Sequence, residues 1–303
     1  MLLEITDRLL TILQCPLCGG PLLKTTGGLS CDRCPAEFPN RPPGVPDLRL
    51  PRPKSYPVEF TLGEPLPEPS STELGLLPFH PQPQVDYSGV HAPTHLSKEM
   101  LSHFPKARNA DSHMLDLGCG DAIHREVCEY AGFQYVGLDY GADGAPIFGD
   151  AHALPFRDES FEFILCIAVL EHIRYPFVMM REAARVLKPG GLLIGTVSFL
   201  EPFHQNSFYH HTHLGVANSL ASGGFVIEHL CPGEQWSVLM AQAHMALFPK
   251  MPPRLAGALI KPLQWMHKLW WWIGGLVTGR NLEKTRVTTT TGAFTFIARK
   301  PAT

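Results

Sequence analysis

Positive charge is not in excess in this sequence: 25 Lys and Arg stand against 28 Asp and Glu over 303 residues. A chain that holds nucleic acid through its overall field carries a surplus of Lys and Arg, so that class is disfavoured, although a local patch would survive a neutral total. Long apolar runs are missing as well. The tryptophan-rich stretch Trp270 to Val277 is far shorter than the ~20 residues that cross a bilayer. Met1 to Gln14 mixes Leu and Ile with Glu4 and Asp7, with neither a basic n-region nor a small-residue cleavage site, so no secretory signal is read there and a short amphipathic helix is expected instead. Eight cysteines without an export signal are expected as reduced thiols or metal ligands in the cytoplasm, not as disulfides. At 45% hydrophobic residues the chain is too apolar to be disordered.

Four of those cysteines open the chain as Cys15-Pro-Leu-Cys18 and Cys31-Asp-Arg-Cys34. Two tight turns with two soft thiolates each suit tetrahedral Zn²⁺ in a ribbon. With Cys15, Cys18, Cys31 and Cys34 filling all four positions, the metal is structural and keeps no vacancy for catalysis. Residues 1–48 are therefore assigned to a zinc ribbon. Thirteen of the 29 prolines fall between Pro39 and Pro83; they favour extended, donor-poor backbone, and 49–93 reads as a proline-rich linker or surface wrap.

The remainder, 94–303, alternates strand and helix as a parallel-sheet α/β domain should. A helix is expected over Thr94–Arg108. Strands are expected at His113–Leu117, Tyr135–Asp139, Phe161–Ile167, Leu192–Ser198, Val226–His229 and Thr291–Arg299. Helices are expected near Ile123–Ala131, Phe177–Val186 and Gly215–Ser222, with a turn at Lys188-Pro-Gly-Gly191. An insert of about fifty residues, 234–285, separates the last two strands.

The first of these strands runs into Leu115-Asp-Leu-Gly118-Cys-Gly120. Gly118 and Gly120 let the backbone bend and approach a ligand, and Asp139, nineteen residues beyond Gly120, ends the next strand where a carboxylate accepts ribose hydroxyls. A dinucleotide fold would want a third glycine at 123, where Ile123 stands, so NAD is disfavoured.

With Gly149-Asp-Ala-His-Ala-Leu-Pro-Phe156, Cys166-Ile-Ala-Val-Leu-Glu-His172 and Lys188-Pro-Gly-Gly191 following in order, the chain resembles class I S-adenosylmethionine-dependent methyltransferases of the type 11 kind, behind a ribbon of the Trm112-like kind. The resemblance runs from Leu115 to Phe199, and more loosely to Phe225 and the final strand. It implies a Rossmann-like α/β fold, mostly parallel with an antiparallel last strand, and S-adenosyl-L-methionine as methyl donor. By the same resemblance, Asp116, Gly118 and Gly120 line the methionine portion and Asp139 holds the ribose. Asp150 and Ala151 receive the adenine, and Cys166 belongs to the strand end beneath the cofactor. Ala122 replaces a frequent third glycine.

Methyl transfer to a hydroxyl needs a base, and histidine suits neutral pH. The segment after the fifth strand, which in this family covers the acceptor, supplies His204, His210, His211 and His213, with Tyr209 as a substrate contact. Glu171 and His172 could instead join downstream histidines around a divalent metal, as in some RNA-end methyltransferases, but Ala168 stands where those enzymes supply another glutamate. The tryptophan-rich Trp265–Trp272, flanked by Lys261, Lys268 and Arg280, reads as a lid or as a peripheral membrane contact. The expected activity is methylation of a hydroxyl or similar nucleophile on a small-molecule, saccharide or lipid-linked acceptor. The alternatives are a ribosomal RNA base methyltransferase whose ribbon recognises RNA, and a non-catalytic cofactor-binding scaffold whose ribbon docks a protein partner.

Overall fold

The computed structural model describes residues 6–42, 44–60, 81–203, 206–233 and 236–302. Helix α1 (Asp7–Ile12) starts where the Thr6 hydroxyl accepts the Leu9 N–H. It ends before the Gln14 limit expected, because Leu13 leaves it to pair in antiparallel fashion with Phe156; residues 1–5 of that expectation lie outside the described residues. Four antiparallel strands follow: β1 (Leu22–Thr25), β2 (Gly28–Cys31), β3 (Glu37–Arg41) and β4 (Val45–Pro46). Strands this short cannot enclose a core of their own. Leu22, Leu29, Phe38 and Leu48 are instead buried in one continuous core with Leu117, Leu138, Ile147 and Phe156.

The main sheet has six strands in the order β6-β5-β7-β8-β10-β9: β5 (His113–Leu117), β6 (Gln134–Leu138), β7 (Phe161–Ile167), β8 (Leu187–Ser198), β9 (Val226–Pro232) and β10 (Ala293–Arg299). β6, β5, β7 and β8 are parallel, while β10 runs antiparallel to both β8 and β9. The Rossmann-like sheet with an antiparallel last strand is thus present. The helices are α2 (Lys98–His103), α3 (Arg125–Tyr130), α4 (Pro176–Val186), α5 (His213–Ser222), α6 (Val238–Gln242), α7 (Pro253–Thr278) and α8 (Glu283–Thr289). Lys188–Gly191 is not a free turn. The Gly190 N–H donates to Lys300 O at 2.9 Å, and the Lys300 N–H to Gly191 O at 3.0 Å, which draws these residues into β8.

Just past the end of β6, the N-terminal part of the same chain pairs onto the sheet. Asp139 and Asp47 each form a parallel bridge with Phe148. The Leu48 N–H donates to Phe148 O at 2.8 Å and the Phe148 N–H to Pro46 O at 2.9 Å. A second seam joins the Gln14 N–H to Pro155 O at 2.9 Å and the Arg157 N–H to Ile12 O at 2.8 Å. Backbone pairing of this kind covers donors and acceptors that an open edge would present to other chains. At the other extreme, α7 buries only Ala256 and Ile260 over 26 residues, and no described helix is long and apolar enough to cross a membrane.

Candidate functional site

The two knuckles bring Cys15, Cys18, Cys31 and Cys34 together with all four sulfurs within 4.8 Å of one another. Cys15 and Cys34 Sγ lie 3.8 Å apart and Cys18 and Cys31 Sγ 3.5 Å apart. Four thiolates about 2.3 Å from one ion sit roughly 3.8 Å from each other, so the set fits tetrahedral zinc. Gly20 is part of the fit: a Cβ there would fall 3.0 Å from Cys31 Sγ and 3.2 Å from Cys18 Sγ. The Gly20 N–H donates to Cys18 Sγ and the Arg33 N–H to Cys31 Sγ, as second partners of bound thiolates do.

A cleft of about 1500 Å³ opens at the C-terminal ends of β5, β6 and β7, where open α/β sheets receive ligands. Gly118, Asp139, Asp150 and Ala151 line it. Gly118 has φ +74°, and a Cβ would strike Val169 Cγ2 at 2.3 Å, so only glycine fits. Asp139 holds the loop in shape: Oδ2 accepts the Gly120 N–H at 3.0 Å and Oδ1 accepts those of Gly141 and Ala142 at 2.9 and 3.0 Å. His152 spends both donors on one oxygen of Asp150, its N–H at 2.9 Å and Nδ1 at 2.6 Å, so Oδ2 remains as an acceptor. Those bonds hold the Asp150 carboxyl below its ordinary range against the opposing effect of burial.

Asp116, Gly120 and Cys166 are not on the cleft wall. Asp116 is buried beneath the glycine loop, where Oδ2 accepts the Tyr135 hydroxyl at 2.7 Å and faces His124 Nδ1 at 2.9 Å, while Oδ1 has no hydrogen-bond partner. The far side of His124 meets His95, Nε2 to Nε2 at 2.6 Å. Burial and then the neighbouring ring push His95 down to about 4. Cys166 is enclosed in the core, and burial pushes its thiol far up.

The four candidate bases separate. His204 lies outside the described residues. His210 is exposed, and His213 opens α5 with its ring packed near Phe294. His211 is buried and lines the cleft, with Nε2 lacking a partner. Burial lowers its pKa, the Leu170 carbonyl opposes that, and His210 adds to it, so the imidazole is neutral near pH 7. Its backbone N–H donates to Ser198 O at 2.9 Å, and Ser198 Oγ in turn donates to Glu171 Oε1 at 2.9 Å. Tyr209 lines the cleft beside it, with its hydroxyl on Arg174 O. Glu171 and His172 join no group of metal-ligating atoms among the described residues.

Several cleft residues carry no sequence signal. Lys54 and Tyr56, from the proline-rich stretch, line the wall together with Asn218 and Ser219 of α5. Lys54 Nζ donates to Pro16 O inside the first knuckle at 2.7 Å, and Arg181 reaches Glu59 O at 2.9 Å. These bonds hold 50–60 across the cleft.

Residues 115–195 match the family described as Methyltransferase domain, and residues 6–39 the family described as Trm112p-like protein. An uncharacterized methyltransferase of Mycobacterium tuberculosis strain H37Rv is 29% identical over 175 residues, 47% of this chain and 67% of the relative. One of Mycolicibacterium vanbaalenii is 28% identical over 178 residues, 49% of this chain and 69% of the relative. Among solved structures, the complex between the Haloferax volcanii Trm112 methyltransferase activator and a putative methyltransferase matches 68% of this chain and 89% of that one, at 17% identity and a TM-score of 0.44.

Proposed function

We propose that this chain, an S-adenosylmethionine-dependent methyltransferase with a Trm112p-like zinc module ahead of its catalytic domain, methylates a hydroxyl or similar nucleophile of a small-molecule, saccharide or lipid-linked acceptor. The observation behind this acceptor class is His211, a neutral imidazole on the cleft wall with a bare, buried Nε2. A hydroxyl must lose its proton as it attacks, and a positioned imidazole takes it. Carbon or sulfur acceptors of low pKa would need no such group.

S-adenosylmethionine, when bound, supplies an electrophilic methyl group on a sulfonium sulfur. The residues divide the remaining work. Gly118 would let the backbone close on the methionine end, while Asp116 and Gly120 lie off the cleft wall, with Asp116 tying Tyr135 to His124. Asp139 would accept from the ribose, Asp150 Oδ2 from the adenine amine, and Ala151 would offer its N–H to the ring; Cys166 is enclosed in the core. Single-ligand pockets measure ~300–1000 Å³, so about 1500 Å³ leaves room for an acceptor beside the cofactor. Holding the two in line supplies much of the acceleration.

An apolar acceptor also fits α7. Trp270, Trp272 and Val277 are 73%, 61% and 82% exposed. The helix carries Arg254, Lys261 and Lys268 and no acidic residue. Indole rings and cations on one helix suit an anionic membrane surface, with the enzyme peripheral to it.

Incubation of the purified protein with methyl-tritiated S-adenosylmethionine and an extract of the source cells, followed by fractionation, tests this reading. Label in organic-soluble or small polar material supports it. Label in RNA overturns the acceptor class and makes the ribbon an RNA-recognition module, and no transfer at all would point to a scaffold.

A further inference from the structure

The sheet edge formed by β9 holds a second group of metal-type side chains, apart from both the ribbon and the cleft. Glu99 of α2 and His229 and Cys231 of β9 bring a carboxylate oxygen, an imidazole nitrogen and a thiol sulfur within 4.8 Å of one another. Glu99 Oε1 lies 3.2 Å from His229 Nε2 and 3.1 Å from Cys231 Sγ. Glu99 is 0% and Cys231 1% exposed, and the second carboxylate oxygen, Oε2, is buried without a hydrogen-bond partner.

We infer that Glu99, His229 and Cys231 form a second zinc site. The local structure aims the three groups at one point. His229 and Cys231 are two residues apart on a strand and so share a face. The Ser97 hydroxyl caps α2 and fixes Glu99 in its first turn against that face. Zinc takes carboxylate oxygen and imidazole nitrogen at ~2.0–2.1 Å and thiolate at ~2.3 Å, which puts tetrahedral O···N and O···S separations near 3.3 and 3.5 Å. The observed 3.2 and 3.1 Å need only a small opening to admit the ion.

Charge favours the same ligand set. One carboxylate and one thiolate neutralise Zn²⁺, and a neutral centre is the form that burial tolerates. Oε2, left without a partner by the protein, can complete a bidentate carboxylate. Binding releases the Cys231 thiol proton. With the carboxylate bound through both oxygens the three residues supply four donor atoms, and the His103 ring, stacked on His229 at 5.6 Å, closes the side of the site. None of the three residues lines the cleft. The site therefore ties α2, the helix ahead of the main sheet, to an edge strand 130 residues further along the chain, and its role is structural.

The full chain, loaded with zinc chloride and freed of excess by gel filtration, is weighed by native mass spectrometry. Two zinc ions per chain are expected, falling to one in Glu99→Gln and in His229→Gln. One zinc in the unaltered chain, or two retained in both variants, overturns the inference. Should the variants fail to fold, cadmium NMR of the unaltered chain decides. Two resonances, one of an all-sulfur site and one of a mixed oxygen, nitrogen and sulfur site, are expected, and a single all-sulfur resonance overturns it.

Discussion

Replacing Asp139 by alanine should weaken cofactor binding by roughly 10- to 150-fold. The carboxylate meets the backbone N–H groups of Gly120, Gly141 and Ala142 at 2.9–3.0 Å, and it lines the cleft at the end of β6. Gly141 is exposed and Gly120 and Ala142 are only half-buried, so the three donors can turn to water and their loss adds little. What the variant cannot replace is the charged acceptor for the ribose. A hydrogen bond to a charged group is worth about 1.5–3 kcal/mol, and each 1.4 kcal/mol is tenfold in affinity. Asp139→Asn separates the two contributions: its carbonyl can still accept from Gly141 and Ala142, but the amide offers no acceptor to Gly120 and carries no charge. It should fall between wild type and alanine. Calorimetric titration with S-adenosylhomocysteine measures the affinity, and thermal unfolding of the ligand-free proteins checks that the loop survives. An alanine variant that melts normally and binds within about twofold of wild type would refute the assignment of Asp139 to the ribose.

His211→Asn should lower methyl transfer by about 10²–10⁴-fold while leaving cofactor affinity unchanged. Because burial lowers the His211 pKa and the base works deprotonated, the acid limb of kcat/KM should fall below the ordinary imidazole value of about 6.5; a limb at or above it contradicts the role. Ala122 occupies a left-handed backbone position, φ 58°, which costs a non-glycine residue ~1–2 kcal/mol. Ala122→Gly gains back part of that against the added freedom of the unfolded chain, so a net ~0.5–1 kcal/mol of stabilisation is expected, read as a rise of about 1–3 °C in Tm. Trp270→Ala with Trp272→Ala should abolish sedimentation with vesicles of anionic phospholipid and leave cofactor affinity intact; undiminished sedimentation removes α7 as the contact. Removing zinc from the ribbon by Cys18→Ser should weaken S-adenosylhomocysteine binding by about tenfold or more, since the metal's binding energy is folding energy here, and unchanged affinity would show the ribbon to be uncoupled.

Most strands were legible because parallel strands buried on both faces read as apolar runs between turn residues. β5 and β7 match their expected limits, and β6, β8, β9 and β10 differ only at their ends. The ends move for tertiary reasons: the C-terminal Lys300 backbone extends β8, and pairing with β10 carries β9 on to Pro232. The helix expected over Thr94–Arg108 forms only at Lys98–His103, between the Ser97 cap and Pro105. The histidine segment was visible as a cluster, but the choice of His211 depends on burial behind α5 and next to Leu170, which no local pattern encodes. Proline content announces extended backbone without saying where it lies, so the path of Lys54 and Tyr56 across the cleft was hidden. Glu99, His229 and Cys231 follow no spacing rule, being joined only by the fold.

The ribbon does not act as a tethered accessory: apart from Arg8, which reaches Ala110 O at 3.1 Å ahead of β5, its backbone seams fall on one side of the cleft. The seam through Leu13 and Gln14 holds Pro155–Arg157, directly after the segment that carries Asp150 and Ala151. The seam through Asp47 and Leu48 holds Phe148, which also bridges Asp139. Arg49, the first residue past the ribbon, adds a third contact, with a guanidinium N–H on Tyr140 O at 3.2 Å and the group lying over the Tyr140 ring. All three act on the loops assigned to ribose and adenine, and none on the His211 segment, which rests on Ser198 and Glu171 of the main sheet side. Loosening the ribbon should therefore raise the cofactor requirement and spare the proton-transfer step. That asymmetry gives a chain with small, marginal strands at its start a reason to spend a metal ion on them: the ion stiffens the module that stiffens the cofactor half of the site.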